Sequence, residues 1–199
     1  MDSHDAPCSE ALCGCVCVGG NAFDGPGRLP PYRPPSSWHR QAVREHAKAL
    51  PSVAGDDLER FLTAQQPVYA QVLSELRGGR KTSHWMWFIF PQITGLGQSP
   101  MSMRFAIQSI EEARAYLAHP LLGPRLRECA GLVLAIGERT AEEVFGPIDA
   151  KKLRSCMTLF HRAEPAEPLF RRVLDAWFSG MSDDKTDMLL STQWSHSRR

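Results

Sequence analysis

Side chains able to do chemistry gather in two segments of the 199-residue chain. The first, KTSHWMWFIFPQITGLGQS (81–99), offers Lys81, His84, Trp85, Trp87, Gln92 and Ser99. The second, IDAKKLRSCMT (148–158), offers Asp149, Lys152, Ser155 and Thr158. An imidazole suits proton transfer near neutral pH, and a carboxylate can orient it or activate water, so His84 and Asp149 form the candidate catalytic pair. Lys81, Lys152, Ser155 and Thr158 supply cationic and hydroxyl donors. Trp85 and Trp87 supply flat apolar walls, and Gln92 and Ser99 flank a glycine-bearing loop. Asp149 to Lys152 and Lys152 to Ser155 are i,i+3 spacings, which place neighbours along one helix face. If that helix faces the aromatic segment, the combined surface suits a small anionic, nucleotide-like metabolite, bound or hydrolysed. Each residue also has a plainer reading: Asp149 as a helix cap, Lys152 as half of a surface ion pair, Ser155 and Thr158 as ordinary helix residues, and the aromatics as packing. A non-enzymatic protein-interaction module, with an unknown partner, is the competing function.

Other chemistries lack their signatures. Ser155, His84 and Asp149 have the residue types of a hydrolase triad, but no G-x-S-x-G elbow presents the serine. No H-E-x-x-H, paired C-x-x-C or carboxylate-rich loop marks a metal site in the region expected to fold, GLG lacks a strand–turn–helix context, and no Walker sequence occurs. Neither metal nor cofactor is therefore expected. A formal net charge of +1 gives no electrostatic footprint for nucleic acid. No apolar run approaches the length that spans a bilayer. Four of the six cysteines (Cys8, Cys13, Cys15, Cys17) crowd the start of the chain, with Cys129 and Cys156 isolated, which is not the distribution of a disulfide framework. The leading cluster is open to three readings: soft-metal thiolates, lipidation sites, or incidental thiols. No secretory signal precedes it, so a reducing, cytoplasmic location is expected.

The elements that must position these residues read as helices. Residues 1–54 are rich in Gly and Pro and are expected to be disordered, with one short helix around Trp38 to Leu50. From 55 to 190, apolar residues recur at helical spacing: Leu58, Phe61 and Leu62; then Val72, Leu73 and Leu76 behind Pro67; then Leu122, Leu126, Cys129 and Val133; then Leu153, Met157 and Phe160; then Phe170, Val173, Leu174 and Trp177. Ser109–Glu112 has the form of a capping box, and Thr140–Glu143 opens a short helix that Gly146 should close. Period-two alternation is scarce. The prediction is a compact, multihelical all-α domain, with residues 191–199 as a loose tail. Trp85 to Phe90 is then a short helix opening near His84, apolar on every side and stopped by Pro91.

Three blocks, GRKTSHWMWFIFPQITGLGQS, EEARAYLAHPLLGPRL and FGPIDAKKLRSCMTLF, resemble in order and spacing a widespread uncharacterised family, the domain of unknown function eighteen-ten. The resemblance implies a multihelical all-α fold from about Asp57 to Leu190, and no established reaction. Some relatives carry the label calpastatin, which would imply protease inhibition, but no repeated inhibitory segment is visible here. Phe105 and Cys156 stand where many relatives look to have tyrosine and serine, so the resemblance implies neither a phenol nor a thiol in a mechanism.

Overall fold

A computed structural model describes residues 55–196. The anticipated 1–54 extension and its Trp38–Leu50 helix lie outside the described residues. Among the described residues nine helices follow one another: α1 (Gly55–Gln65), α2 (Tyr69–Arg77), α3 (Met86–Ile89), α4 (Pro100–Arg104), α5 (Ile110–Ala118), α6 (Leu122–Ala135), α7 (Ala141–Ala163), α8 (Pro168–Phe178) and α9 (Asp184–His196). No strand is named among the described residues, and one isolated parallel bridge joins Ile93 to Ile107. The domain is all-α, as its patterning predicts.

Helix α7 is the central element and packs on α5, α8 and α9, while α6 packs on α2, α5 and α8. Its stripe of Leu153, Met157 and Phe160 is fully buried, with Cys156 and Leu159 beside it. Rings link the layers: Phe61 meets Tyr116 edge-on, Tyr116 meets Phe160, and Phe160 meets Phe170. Such contacts add roughly 0.5–1.5 kcal/mol each beyond the area they bury. Trp85, Met86, Ile89 and Phe90 are buried too, as expected for a segment apolar on every side.

Local chemistry sets the boundaries. Ser99 caps α4 and Pro100 opens it, where a missing N–H costs nothing. Thr140 and Glu143 form a complete capping box at the start of α7. The Ser109 box is only half made: the Ser109 hydroxyl accepts from the Glu112 amide, but the Glu112 carboxylate accepts from the Gln108 amide (2.6 Å) and from Arg60 (2.6 Å) instead. Gly146 takes φ +76°, ψ 163°, breaking α7 into two helical stretches at the position the sequence indicates, with Pro147 restarting the turn.

Two expectations need revision. His84 precedes the aromatic helix, because regular turns begin only at Met86 and Trp85 is the N-cap residue. The chain also remains helical to His196, so the tail expected from 191 begins inside α9; its last residues, 197–199, fall outside the described residues. Ser191 and Thr192 return hydroxyl hydrogen bonds to Met188 O, and the Gln193 amide reaches Gln108 O (2.9 Å). The segment is helical although its weak apolar pattern did not announce it, and the Gln193 bond ties it to the residues before α5.

Candidate functional site

The first candidate segment is aimed by the end of α2. Gly79, at φ +65°, lets the Gly79 amide reach Leu76 O and the Arg80 amide reach Glu75 O, the paired bonds of a Schellman stop. The chain reverses, and residues 82–85 run back beside Glu75. Its carboxylate accepts from the Thr82 amide (2.8 Å), the Ser83 amide (3.2 Å), the Ser83 hydroxyl (2.6 Å) and the Trp85 indole N–H (2.8 Å). Burial alone would raise the Glu75 carboxyl, but these donors outweigh it and hold the group down to about 2.

Lys81 then joins the two candidate segments across the Gly146 break. Its amide donates to Val144 O (2.9 Å), before the break, and its ammonium meets Asp149 Oδ2 (2.7 Å), after it. Asp149 Oδ1 accepts from the Lys152 ammonium (2.8 Å), the neighbour one helical turn on. One carboxylate therefore serves two cations, leaving a local net charge of +1. The side chains of Lys81, Asp149 and Lys152 are 9%, 17% and 18% exposed, so this charge is largely withdrawn from solvent yet still reachable. Burial works to raise the Asp149 carboxyl, but the hydrogen bonds and charges of Lys152 and Lys81 prevail and keep it below the usual aspartate range.

Both ammonium groups also rest on indoles. Lys81 Nζ lies 5.2 Å from the Trp85 ring centroid and Lys152 Nζ 4.5 Å from that of Trp87. Cation–ring attraction at these distances contributes about 0.5–2 kcal/mol. Trp85 is buried, so it acts as a floor. Trp87 is half-buried and also lines a cavity of about 240 Å³ with Gln92, Thr94, Gly97, Ser102 and Phe105. The half-buried Gln92 side-chain amide makes no hydrogen bond among the described residues and is available to a guest.

The remaining candidates separate from this group. His84 is exposed and no hydrogen bond joins it to Asp149, whose two oxygens are taken by lysines. Ser155 is buried and shares a hydrogen bond with Thr186 (2.8 Å). Thr158 is buried, donates to Arg154 O (2.8 Å) and accepts from the Asp183 amide (2.9 Å). Both hydroxyls fasten the start of α9 to α7, because polar atoms enclosed between helices must find partners. They do not line the Trp87 cavity. Ser99 is exposed, caps α4 through the Ser102 amide and touches the Ser102 hydroxyl.

Glu75 was not singled out by sequence reasoning, though the Gly78-Gly79 reversal after an acidic helix end was its only available signal. Thr186 and Asp183 were missed as partners of the α7 hydroxyls, for they carry no motif. His119 accepts the Leu121 (3.2 Å) and Leu122 (3.3 Å) amides on Nδ1 and so caps α6. Burial raises both remaining thiols, Cys129 to about 12 and Cys156 well above its ordinary value, which leaves them unreactive. Among the described residues no group of three His, Cys, Asp or Glu could hold a metal ion, and no helix is long and apolar enough to cross a membrane.

Comparison with known proteins adds a relationship and no activity. No curated protein matches the chain. The crystal structure of the conserved hypothetical protein Rv1873 from Mycobacterium tuberculosis is similar, with 55% sequence identity and a TM-score of 0.67, over 68% of this chain and 96% of that one. The model of a family described as "Protein of unknown function (DUF1810)" matches residues 55–190, and the chain, with its helical domain over that span, belongs to this family.

Proposed function

We propose that this domain binds a small anionic, ring-bearing metabolite of the nucleotide type, its anionic group drawn to Lys81 and Lys152 and its ring to Trp87 and the adjoining cavity. The observation that carries this reading is the shared carboxylate. Asp149 neutralises one of two lysines, so a largely enclosed positive charge stands beside an aromatic wall. Desolvated cations bind anions more strongly than exposed ones, because the surrounding dielectric is lower. Trp87 connects the charge to a hollow large enough for one planar ring, and Gln92 offers an unspent donor and acceptor at its edge.

The geometry favours binding over hydrolysis. A general base needs a pKa near the working pH, and Asp149 is shifted away from it. His84 is left as the only candidate proton carrier, placed outside the lysine cluster. A thermal-shift screen against nucleoside mono- and diphosphates tests the proposal. A ligand at a hundred times its Kd should stabilise the fold by about 2.7 kcal/mol. Lys152→Met and Trp87→Ala should each abolish that gain. Absence of any stabilising nucleotide, or stabilisation untouched by both variants, refutes the site. Capture of a protein through the Trp87 face would instead favour the interaction module.

A further inference from the structure

The make-up of the lysine cluster limits the charge its guest can carry. Each ammonium is held to its own oxygen of one carboxylate, Lys81 to Asp149 Oδ2 (2.7 Å) and Lys152 to Asp149 Oδ1 (2.8 Å). Lys152 has three N–H donors and gives one of them to Asp149. An oxyanion in hydrogen-bond reach of Lys152 therefore stands no more than about 6 Å from Asp149 Oδ1. Whatever pairs with the lysine also feels the aspartate. Burial works to raise the Asp149 carboxyl, but the bonds and charges of Lys152 and Lys81 hold it below the usual range, so it stays charged at pH 5 and above.

The surroundings reinforce this limit. Glu75 accepts from the Trp85 indole N–H (2.8 Å), and Lys81 rests on the same indole, 5.2 Å from the ring centroid. The donors to Glu75 come from Gln71, Thr82, Ser83 and Trp85 and are all neutral, so its full negative charge persists beside the cluster. Groups that would favour a more negative guest are placed less well. Arg80, Lys151 and His84 are exposed, and solvent screens them. Arg139 donates to Gly79 O (2.9 Å), and Arg154 donates to Met181 O (3.1 Å) and Ser182 O (2.6 Å).

Attraction to a site grows in proportion to the charge of the guest, whereas the cost of withdrawing that guest from water grows with the square of its charge. In a cluster whose side chains are 9%, 17% and 18% exposed, the second effect limits the first, and a net charge of +1 is matched by a single negative charge. From this balance, and resting on the nucleotide reading above, we infer that the anionic group of the guest is a singly charged phosphodiester, as in a cyclic nucleotide, and not a doubly charged terminal phosphate. The adjoining cavity of about 240 Å³ lies below the roughly 300–1,000 Å³ usual for small-molecule sites, which suits the single base of a mononucleotide.

Isothermal titration calorimetry of the full chain tests the inference with matched probes in the adenosine and uridine series: the nucleoside, its 5′-monophosphate, the methyl ester of that monophosphate, and the 3′,5′-cyclic phosphate. At pH 7.5 the monophosphate has lost its second proton, whose pKa is about 6, so it differs from its ester by one methyl group and one charge. The ester and the cyclic phosphate should bind at least about tenfold more tightly than either the monophosphate or the nucleoside. At pH 5 the monophosphate regains that proton and should come within about threefold of its ester, a ratio in which protonation of His84 cancels. Asp149→Asn raises the cluster to +2 and should reverse the order in favour of the monophosphate, whereas Lys152→Met lowers it to zero and should weaken the ester at least about tenfold. A monophosphate that equals or exceeds its ester at pH 7.5, or an order unchanged in folded Asp149→Asn, overturns the inference and leaves the nucleotide site standing. A nucleoside that equals its ester, or no binding by any probe of either series, overturns both. The wild-type comparison decides the question where Asp149→Asn does not fold.

Discussion

Glu75→Gln is the sharpest perturbation of the frame beneath the candidate site. The carboxylate receives four hydrogen bonds from residues 82–85, one of them from the Trp85 indole. Its pKa falls from an ordinary 4.5 to about 2, a difference that corresponds to an upper limit of about 3.4 kcal/mol at neutral pH. Solvent reaches part of the group and screens it, which reduces the expectation to about 1–2 kcal/mol. Because the folded value is depressed, this stability is fully present above 4.5 and is lost as pH falls toward 2. Glutamine keeps the shape and one acceptor but carries no charge to titrate.

Urea denaturation of both proteins, compared at several pH values, reads the effect directly. The variant should be less stable by about 1–2 kcal/mol near pH 7. Between about one-fifth and two-fifths of that difference should survive near pH 3.5, the range reflecting how strongly solvent screens the carboxylate. Taking the difference between the two proteins removes the titration of Asp149 and Asp187, which are depressed in both. A difference that is below about 0.3 kcal/mol, or that stays constant over the whole pH range, would refute the claim that charge-assisted bonds to Glu75 hold the 82–85 segment.

Asp149→Asn leaves two neighbouring ammonium groups without their shared anion and should cost about 1–3 kcal/mol, with partial recovery on adding Lys152→Met, as measured by chemical denaturation. Loss of the His119 cap in His119→Ala should cost about 1 kcal/mol at pH 8. Burial lowers the His119 pKa from an ordinary 6.5, against Glu59 and with Arg125, so the cap's contribution is complete above 6.5 and declines as pH falls through the lower folded value; the gap between wild type and variant should therefore narrow by pH 5. Ser155→Ala should lower stability by about 1 kcal/mol through loss of the Thr186 bond, yet leave nucleotide-induced thermal shifts unchanged; loss of those shifts would restore Ser155 to the site. Gly146→Ala meets no neighbour but sets a side chain at φ +76°, ψ 163°, a backbone region essentially reserved for glycine, and should cost about 1–3 kcal/mol, whereas Gly123→Ala sets a Cβ 2.1 Å from Leu117 O and should lower the melting temperature far more.

The helical stripes were legible because burial imposes a period on sequence. Leu153, Met157 and Phe160 occupy the core where their spacing placed them, and Gly146 breaks α7 where a glycine before a proline interrupts the pattern. What periodicity could not separate was two kinds of hydroxyl on one helix. Ser155 and Thr158 sit about one and two turns beyond Lys152, and the same spacing that offered them to a pocket offers them equally to a neighbouring helix. The choice depended on α9, whose partners Asp183 and Thr186 have no apolar rhythm and so were read as part of no element. Gln193 and Glu75 were hidden for a related reason: each acts through a chain reversal that brings residues far or moderately apart into hydrogen-bond reach.

Lys81 shows how the legible and illegible parts combine. Its position beside an aromatic segment marked it as a candidate, and its pairing with Asp149 belongs to the same chemistry. The main-chain bond from Lys81 to Val144 carries no side-chain signature, yet it fixes the residue on the far side of the Gly146 break. An anion that drew the Lys81 ammonium from Asp149 would therefore leave its backbone tied to the first stretch of α7 while loosening its hold on the second. Binding at this site would be felt at Gly146, the one residue inside α7 whose backbone is not helical.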